Sequence, residues 1–158
     1  MRDHHYELTV TWTGNHGTGT ADPRAYGREH LVTADGKPDL AGSSDPAFRG
    51  DPMRWNPEEL LVAALAQCHM LWFLNLAALA GVVVTGYLDR PTGTMTEEPS
   101  GAGQFTEVVL RPEITVAAAD MLPKLAQLHS TAHEKCFIAR SVNFPVNHRP
   151  TAVVGATR

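Results

Sequence analysis

The pattern of apolar positions is dominated by one long run, from Pro57 to about Ala80. Asn56 can cap the first free amides of a helix, and Pro57 suits the first helical position, where its missing N–H is no loss. Gly81 is a natural end, because glycine takes the left-handed conformation after the last turn without strain. The pattern therefore predicts a helix from Pro57 to about Ala80.

This helix is apolar nearly all round, which predicts that it is buried in the core. Glu58 and Glu59 lie in its first turn, where the helix dipole favours negative charge. A membrane span is the alternative, because about 20 residues are enough to cross a bilayer. Polar groups inside a bilayer are costly, and this run contains two acids and four further polar residues: Gln67, Cys68, His69 and Asn75. We therefore expect a core helix with a cysteine inside it.

Alternating polar and apolar residues predict strands on both sides of this helix. Before it, strands are expected at 6–12 and 26–34, followed by a long irregular segment at 38–55. After it, one strand is expected over 82–89 and 94–96, with an interruption at Pro91, and a second at 105–116. These two form a long hairpin around a turn at 97–103. A last strand region at 141–154 contains Pro145 and Pro150, which indicate the edge of a sheet.

A second helix is predicted between these strands. Asp120 is its expected cap, Pro123 lies in its first turn, and it runs to about Lys135, so that Cys136 falls at its end. The order is two strands, a helix, two strands, a helix and a strand. That order predicts an α+β fold with mainly antiparallel sheets around two central helices.

The composition fits one domain over residues 1–158. The formal net charge is −4, and no basic block suggests binding to nucleic acid. The N-terminus, Met1-Arg2-Asp3-His4-His5, lacks the apolar region of a signal peptide, so a cytoplasmic location is expected. In a reducing cytosol, two cysteines far apart in sequence are more often free thiols or a catalytic pair than a structural disulfide.

The two cysteines are the main candidates for chemistry. Each of them alone is as well explained as a small buried hydrophobe. Together, each on a helix that faces the core, Cys68 and Cys136 suggest an attacking and a resolving thiol. Such a pair needs positive charge near one thiolate and a close approach of the two sulfurs.

A metal site is a competing interpretation. His129 and His133 share one helix face, and Cys136 lies three residues further on. The signal is weak, since no second close pair of ligands appears, and we expect no metal and no cofactor.

Four arginines precede the core helix: Arg24, Arg28, Arg49 and Arg54. Each can be an ordinary solvated surface residue. Alternatively, one of them reaches the thiol and stabilises its thiolate, as an adjacent guanidinium would. An acid would then be needed to orient that arginine, and Glu58 is the obvious candidate.

At these residues the chain resembles the OsmC/Ohr family of osmotically inducible and organic hydroperoxide resistance proteins. The resemblance is carried by Asn56-Pro57-Glu58-Glu59-Leu60-Leu61, with Cys68 ten residues after Glu58, and by Ala132-His133-Glu134-Lys135-Cys136. It covers nearly the whole chain. The segment 43–52 and His69-Met70-Leu71-Trp72 resemble an OsmC-like branch rather than the organic hydroperoxide resistance branch.

The resemblance implies an intertwined homodimer with two sites at its interface and thiol-dependent reduction of organic hydroperoxides and peroxide. It implies that Cys68 attacks the peroxide and that Cys136 resolves the sulfenic acid to a disulfide. A dithiol, in some relatives a lipoyl group, then reduces the disulfide. Glu58 matches the family glutamate, and the family arginine is expected at Arg28 or, as second choice, Arg24.

The chain departs from the organic hydroperoxide branch in two places. The Gly-Gly-Arg-Asp-Gly loop is absent after the first strand, and the Cys-Pro-x-Ser motif is replaced by Cys136-Phe137-Ile138-Ala139. These departures bear on substrate preference and rate, not on fold. A redox-sensing protein, or one that binds a small apolar ligand in the same pocket, is the rival interpretation. It gains if no arginine reaches Cys68.

The spacing of Glu58 and Cys68 predicts how a dimer would share its sites. Ten residues of helix span about 15 Å along the axis, which is beyond the reach of a glutamate side chain. If Glu58 orients the activating arginine, it does so most simply for the cysteine of the other subunit.

Overall fold

The computed structural model describes residues 1–155 and contains two compact units, one of residues 1–61 and one that begins at residue 62. The α+β class is confirmed. The strands are β1 (Thr9–Trp12), β2 (His30–Thr33), β3 (Leu40–Gly42), β4 (Val84–Asp89), β5 (Thr92–Glu97), β6 (Gly103–Leu110), β7 (Pro112–Val116), β8 (Val146–His148) and β9 (Thr151–Val154). The helices are α1 (Pro57–Leu79) and α2 (Leu125–Lys135), with short 3-10 helices at Pro46–Phe48, Ala119–Lys124 and Ala139–Ser141. The single domain over 1–158 stays a prediction.

The first unit is built on an antiparallel sheet in the order β1-β2-β3. The two predicted strands are present but shorter than the alternating patterns suggested. The segment 38–55, predicted to be irregular, contains β3 and a 3-10 helix capped by the side chain of Asp45. β3 has three residues, which are too few for an alternating pattern to indicate a strand. Its strand conformation depends on pairing with β2.

Helix α1 begins and ends as its sequence predicts. The Asn56 side chain accepts a hydrogen bond from the Glu59 N–H at 2.8 Å, and the Glu59 carboxylate accepts one from the Asn56 N–H at 3.3 Å. This is a capping box, which satisfies free amides at the start of the helix. Gly81 has a φ of 69° and follows the last turn.

The expected burial of α1 is wrong for the single chain. Only one stripe at four-residue spacing is buried: Leu65, His69, Phe73 and Ala77. Within residues 1–155, α1 is the one helix whose length and composition would allow it to cross a membrane. Its most apolar 18-residue stretch has a mean hydropathy of 1.7, and 22% of that stretch is buried. Core helices of other proteins meet the same criteria. Much of an apolar helix is thus left uncovered by its own chain.

The second unit contains two three-stranded sheets, in the orders β4-β7-β9 and β5-β6-β8. The predicted long hairpin is present in its pairings, because β5 pairs with β6 and β4 with β7, both antiparallel. The last region is two short strands rather than one, each at a sheet edge, and each is parallel to its neighbour. The sheets are mainly antiparallel, as predicted, with two parallel pairs added.

The start of α2 differs from its prediction. The stretch Ala119–Lys124 is a 3-10 helix, and α2 begins only at Leu125, so Asp120 is not its cap. Pro123 explains the difference, because proline has no N–H to donate within a helix and its ring crowds the preceding turn. The end is as expected, with Cys136 as the C-terminal cap. α1, α2, β7 and the chain near Val82 bury a common core: Phe73, Ala77, Val82, Ile114, Val116, Leu125 and Ala132.

Candidate functional site

The structure brings the two cysteines of the second unit together. Cys68 lies half-buried on α1, Cys136 is buried at the end of α2, and both are free thiols. The Cys68 thiol lies close enough to Cys136 to raise the pKa of the Cys136 thiol. A disulfide between them would require the two sulfurs to approach to about 2 Å.

The two thiols differ in their surroundings. Burial raises the pKa of the Cys136 thiol to about 11, and the hydrogen bond with Cys68 raises it further. The Ala139 N–H donates to the Cys136 Sγ at 3.4 Å and acts in the opposite direction. Because thiolates are the stronger nucleophiles, Cys136 is a neutral and weakly nucleophilic thiol at pH 7. Cys68 is the more accessible sulfur of the two.

Aromatic side chains flank this thiol pair. Trp72 lies one turn after Cys68 on α1, and its ring lies 5.6 Å from the ring of Phe137, the residue after Cys136. The Lys135 ammonium lies 5.6 Å from the centre of the Trp72 ring. Leu71, Trp72 and Asn75 line a pocket of about 220 Å³. The surroundings of the thiols thus combine an apolar wall with one positive charge, which the sequence argument did not identify.

The predicted arginines lie in the first unit. The Arg28 guanidinium donates to the carbonyl oxygens of Tyr26 at 2.6 Å and Pro23 at 2.9 Å, and it lies 4.1 Å from the centre of the Tyr26 ring. Arg24 is exposed, and its backbone N–H donates to Asp22. These contacts hold Arg28 in its own loop.

The other two arginines also have local partners. Arg54 pairs with Asp51 at 3.6 Å, and Arg49 donates to the Pro23 carbonyl at 3.4 Å. Glu58 is half-buried in the first turn of α1. Its Oε2 is shielded from solvent and has no hydrogen-bond partner within residues 1–155. A buried carboxylate oxygen without a partner is unfavourable, so Glu58 is poised to accept a hydrogen bond or pair with a cation.

A cluster of four histidines lies in the second unit, and sequence reasoning recognised only part of it. The His69 Nε2 and His129 Nδ1 are 3.0 Å apart, and the two rings lie within 5° of parallel. The His148 ring centre lies 5.4 Å from that of His69 and 6.0 Å from that of His129. His133 lies 5.6 Å from His148, and the Phe73 ring stacks on His129 at 4.1 Å.

Three of these histidines, His69, His129 and His148, are neutral at pH 7. Burial, followed by the charges of His129, His148 and His133, lowers the pKa of His69 to about 3. Burial, followed by the charge of His148, lowers the pKa of His129 to about 4, and burial and His133 lower that of His148. Across residues 1–155, no three His, Cys, Asp or Glu side chains are arranged to hold a metal ion. His129, His133 and a cysteine therefore do not converge as the metal interpretation requires.

The signal for His69 was present in the sequence. Leu65, His69, Phe73 and Ala77 recur every four residues, which places His69 on the same face as three apolar residues. No comparable signal marks His148, because its place beside the other rings depends on the parallel pairing of β8 with β6.

Comparisons with known proteins agree with this fold. The family model of OsmC-like proteins matches residues 50–150. An OsmC-like protein of unknown function from Vibrio cholerae is 34% identical, with a TM-score of 0.83 over 96% of this chain and 100% of that one. No curated protein matches the chain.

Two organic hydroperoxide resistance proteins share the fold at lower identity. The one from Elizabethkingia anophelis is 16% identical, with a TM-score of 0.66 over 98% of this chain and 100% of its own. The one from Legionella pneumophila is 19% identical, with a TM-score of 0.67 over 95% of this chain and 98% of its own. The match over residues 50–150 and the identity to the Vibrio protein show that this chain belongs to the OsmC-like family.

Proposed function

We propose that this protein is a thiol-dependent peroxidase that reduces organic hydroperoxides and peroxide. The observation that carries the proposal is the proximity of two free thiols, one half-buried and one buried with a pKa that burial and the neighbouring Cys68 raise. The names of the Elizabethkingia and Legionella proteins support hydroperoxides as the substrate class. The apolar wall of Trp72 and Phe137 suits the organic part of such a molecule.

In the first step, the Cys68 thiolate attacks a peroxide oxygen. An S–O bond forms and the O–O bond breaks, so that sulfur loses two electrons and the peroxide becomes an alkoxide. The alkoxide takes up the proton that Cys68 released and leaves as the alcohol. Cys68 becomes a sulfenic acid, which condenses readily with a nearby thiol.

In the second step, Cys136 attacks the Cys68 sulfenic acid, a disulfide forms, and water leaves with the Cys136 proton. The low reactivity of Cys136 as a neutral thiol suits this role, because it leaves the first attack to Cys68. A dithiol such as a lipoyl group then reduces the disulfide by thiol–disulfide exchange, and no other cofactor takes part.

Glu58 and an arginine, Arg28 before Arg24, are proposed to favour the Cys68 thiolate. The unpartnered Oε2 of Glu58 supports an acceptor role. For Arg28, function requires the guanidinium to exchange its present carbonyl partners for the thiolate.

The working form is proposed to be a homodimer in the cytoplasm. The support is the apolar surface of α1 that its own chain leaves uncovered, including Leu71, which is 62% exposed, and Leu79, which is 78% exposed. A second copy that brings the same helix is the simplest cover. Glu58 of one chain would then serve Cys68 of the other.

Redox sensing without efficient turnover is the second candidate. The carbonyl contacts of Arg28 favour it, because they occupy the guanidinium that activation would need.

A peroxide consumption assay separates the two functions. It compares an organic hydroperoxide with a dithiol or a monothiol reductant, using the wild type and Cys68→Ser. The proposal predicts turnover with the dithiol and none in Cys68→Ser. Turnover that survives in Cys68→Ser contradicts the assigned attack, and oxidation of the wild type without turnover favours the sensor.

A further inference from the structure

Helices α1 and α2 carry two neighbouring contacts between their side chains. Cys68 and His69 are consecutive on α1. His129, the partner of His69, lies on α2, and Cys136, the neighbour of Cys68, is the C-terminal cap of the same helix. The hydrogen bond between the histidines therefore joins the helix that carries Cys68 to the helix that ends at Cys136.

This hydrogen bond exists only while one proton is shared between the facing nitrogens. A neutral imidazole has one N–H donor and one acceptor nitrogen. In either tautomer of the pair, one of the two outer nitrogens, His69 Nδ1 and His129 Nε2, carries a hydrogen. Both outer nitrogens are buried without a partner.

Additional protons are therefore unfavourable in this arrangement. One extra proton leaves a charged ring with an N–H on an outer nitrogen that has nothing to accept it, which is costly in a dry interior. A second extra proton would place N–H against N–H across the 3.0 Å contact. Acid must therefore act on this pair by separating it.

The groups that face the pair add to this effect. His148 of β8 faces both rings, and His133 of α2 faces His148 and acts on His69. Phe73 covers one face of His129, and Tyr87 of β4 packs on Phe73. His133 and His148 line a pocket of about 570 Å³ with Arg149, so they are the members of the cluster that solvent reaches.

We propose that the neutral His69–His129 hydrogen bond positions Cys136 against Cys68 and that acid releases this contact. The two histidines are positioning residues for disulfide formation. The inference rests on the proposed function only in that it gives the thiol contact a catalytic purpose.

The size of the acid effect follows from the difference between the bound and released rings. A released histidine has its ordinary pKa of 6.5, and the pair in the structure has pKa values of about 3 and 4. The contact therefore has its full strength above pH 6.5 and weakens as the pH falls below it. At pH 5, proton uptake raises the equilibrium constant for release about 30-fold for each ring relative to neutral pH. For release of both rings the increase is on the order of 1000-fold.

The protection of Cys136 measures this release directly, because the residue is 1% exposed and must open to react. The Cys68→Ser protein is labelled with 4,4′-dithiodipyridine at pH 7.5 and pH 5. Each rate is divided by the rate of a model thiol peptide at the same pH. We expect the protection of Cys136 to fall by two to three orders of magnitude between the two pH values.

The matched variants separate the pair from other histidines. Adding His69→Gln and His129→Asn keeps amide groups that can bridge the contact and removes the titration, so protection should become nearly independent of pH. Adding His16→Gln, at an exposed residue of the first unit, should leave the wild-type pH response unchanged. An unchanged protection from pH 7.5 to 5 in the Cys68→Ser protein, or an equal loss in the double histidine variant, overturns the proposal.

If the double variant does not fold, ring nitrogen NMR of the wild type decides. Both rings should be neutral and hydrogen-bonded at pH 7.5, and in acid any ring that gains charge should lose this hydrogen bond; a ring that becomes charged while the hydrogen bond persists overturns the proposal. None of these measurements uses a peroxide. Their failure would leave the peroxidase assay unaffected, just as activity in Cys68→Ser would leave them standing.

Discussion

The pair of thiols, Cys68 and Cys136, and the pair of histidines, His69 and His129, differ in their exposure to water and in their chemistry. The thiol pair has one member half open to solvent and a wall of two aromatic rings beside it. The histidine pair is 1% exposed at both members, and a phenylalanine stacks on one of its rings. One contact can be changed by an oxidant and the other by protons.

The difference shows how one helix interface can separate reaction from positioning. A reacting sulfur must be reached by its substrate, so its surroundings cannot be fully packed. The adjacent dry contact has no such need, and a hydrogen bond in a dry interior is stronger and more directional than one in water. The spacing of the thiols can therefore be set by residues that never touch the substrate.

The largest effect is expected when the thiol pair is broken at Cys136. Cys136→Ser should consume one equivalent of hydroperoxide per site and then stop, because Cys68 can still attack but no disulfide can form for the dithiol to reduce. Rapid mixing with a peroxide assay would record the burst and the loss of steady turnover. Steady turnover at the wild-type rate with the dithiol would show that Cys136 is not the resolving thiol.

The next largest effect concerns the stripe that carries His69. Leu65 is fully buried one turn before His69, so Leu65→Ala should lower the free energy of unfolding by about 2–5 kcal/mol. Chemical denaturation would measure it. The matched control is Leu71→Ala on the uncovered face, whose effect should depend on protein concentration if a second copy covers that face. A cost below 1 kcal/mol for Leu65→Ala would contradict the packing described.

Acid should weaken the histidine pair before it affects the thiols. The folded pKa values of His69 and His129 lie below the unfolded value of 6.5. The contribution of these two histidines to the free energy of unfolding is therefore fully present above pH 6.5. Between pH 6.5 and pH 4 it falls by about 1.4 kcal/mol per pH unit for each histidine. Urea denaturation at pH 7.5, 6 and 5 checks the slope. A stability that is flat between pH 6.5 and 5 would mean that these rings are not buried and neutral.

A smaller effect tests whether the thiol site draws on two chains. Cys68→Ser and Glu58→Ala chains are each expected to be impaired, and the two are mixed under conditions that allow subunits to exchange. In a heterodimer one site carries both lesions and the other is intact, so activity should recover to about half of wild type per dimer. Demonstrated heterodimers without recovery would exclude the shared arrangement.

The smallest effect is expected at the arginines. Arg28→Ala should slow alkylation of Cys68 at neutral pH, because the proposed activation by this guanidinium would be lost and less thiolate would form. Arg24→Ala tests the second candidate arginine, whose side chain is exposed, in the same way. Iodoacetamide rates with peptide mapping would measure both variants. An unchanged rate in each would mean that neither arginine activates the thiol.

Local signals predicted much of this fold. Asn56, Pro57 and Gly81 gave correct limits for α1 because caps act within one turn. The prediction that Asp120 caps α2 was wrong for an equally local reason, because Pro123 favours a 3-10 helix at Ala119–Lys124 in place of the first turn of α2. The parallel pairings of β8 with β6 and of β9 with β7 were not predicted, because they join residues about forty positions apart.

The candidate site was predictable only residue by residue. The two cysteines could be named from their helices, but their approach depends on how α1 packs on α2. The contact of His69 with His129 joins residues sixty positions apart. It requires a ring orientation that no periodic pattern encodes, and so His129, considered in the sequence as a metal ligand, is hydrogen-bonded to another histidine instead.

The most direct test of the central claim is the identity of the first oxidised sulfur. Cys136→Ser and Cys68→Ser proteins are each treated with one equivalent of an organic hydroperoxide in the presence of a 1,3-diketone that traps sulfenic acids, followed by peptide mass spectrometry. The account predicts one adduct at Cys68 in the first protein and none at Cys136 in the second. An adduct at Cys136 that forms as fast as the one at Cys68 would contradict it.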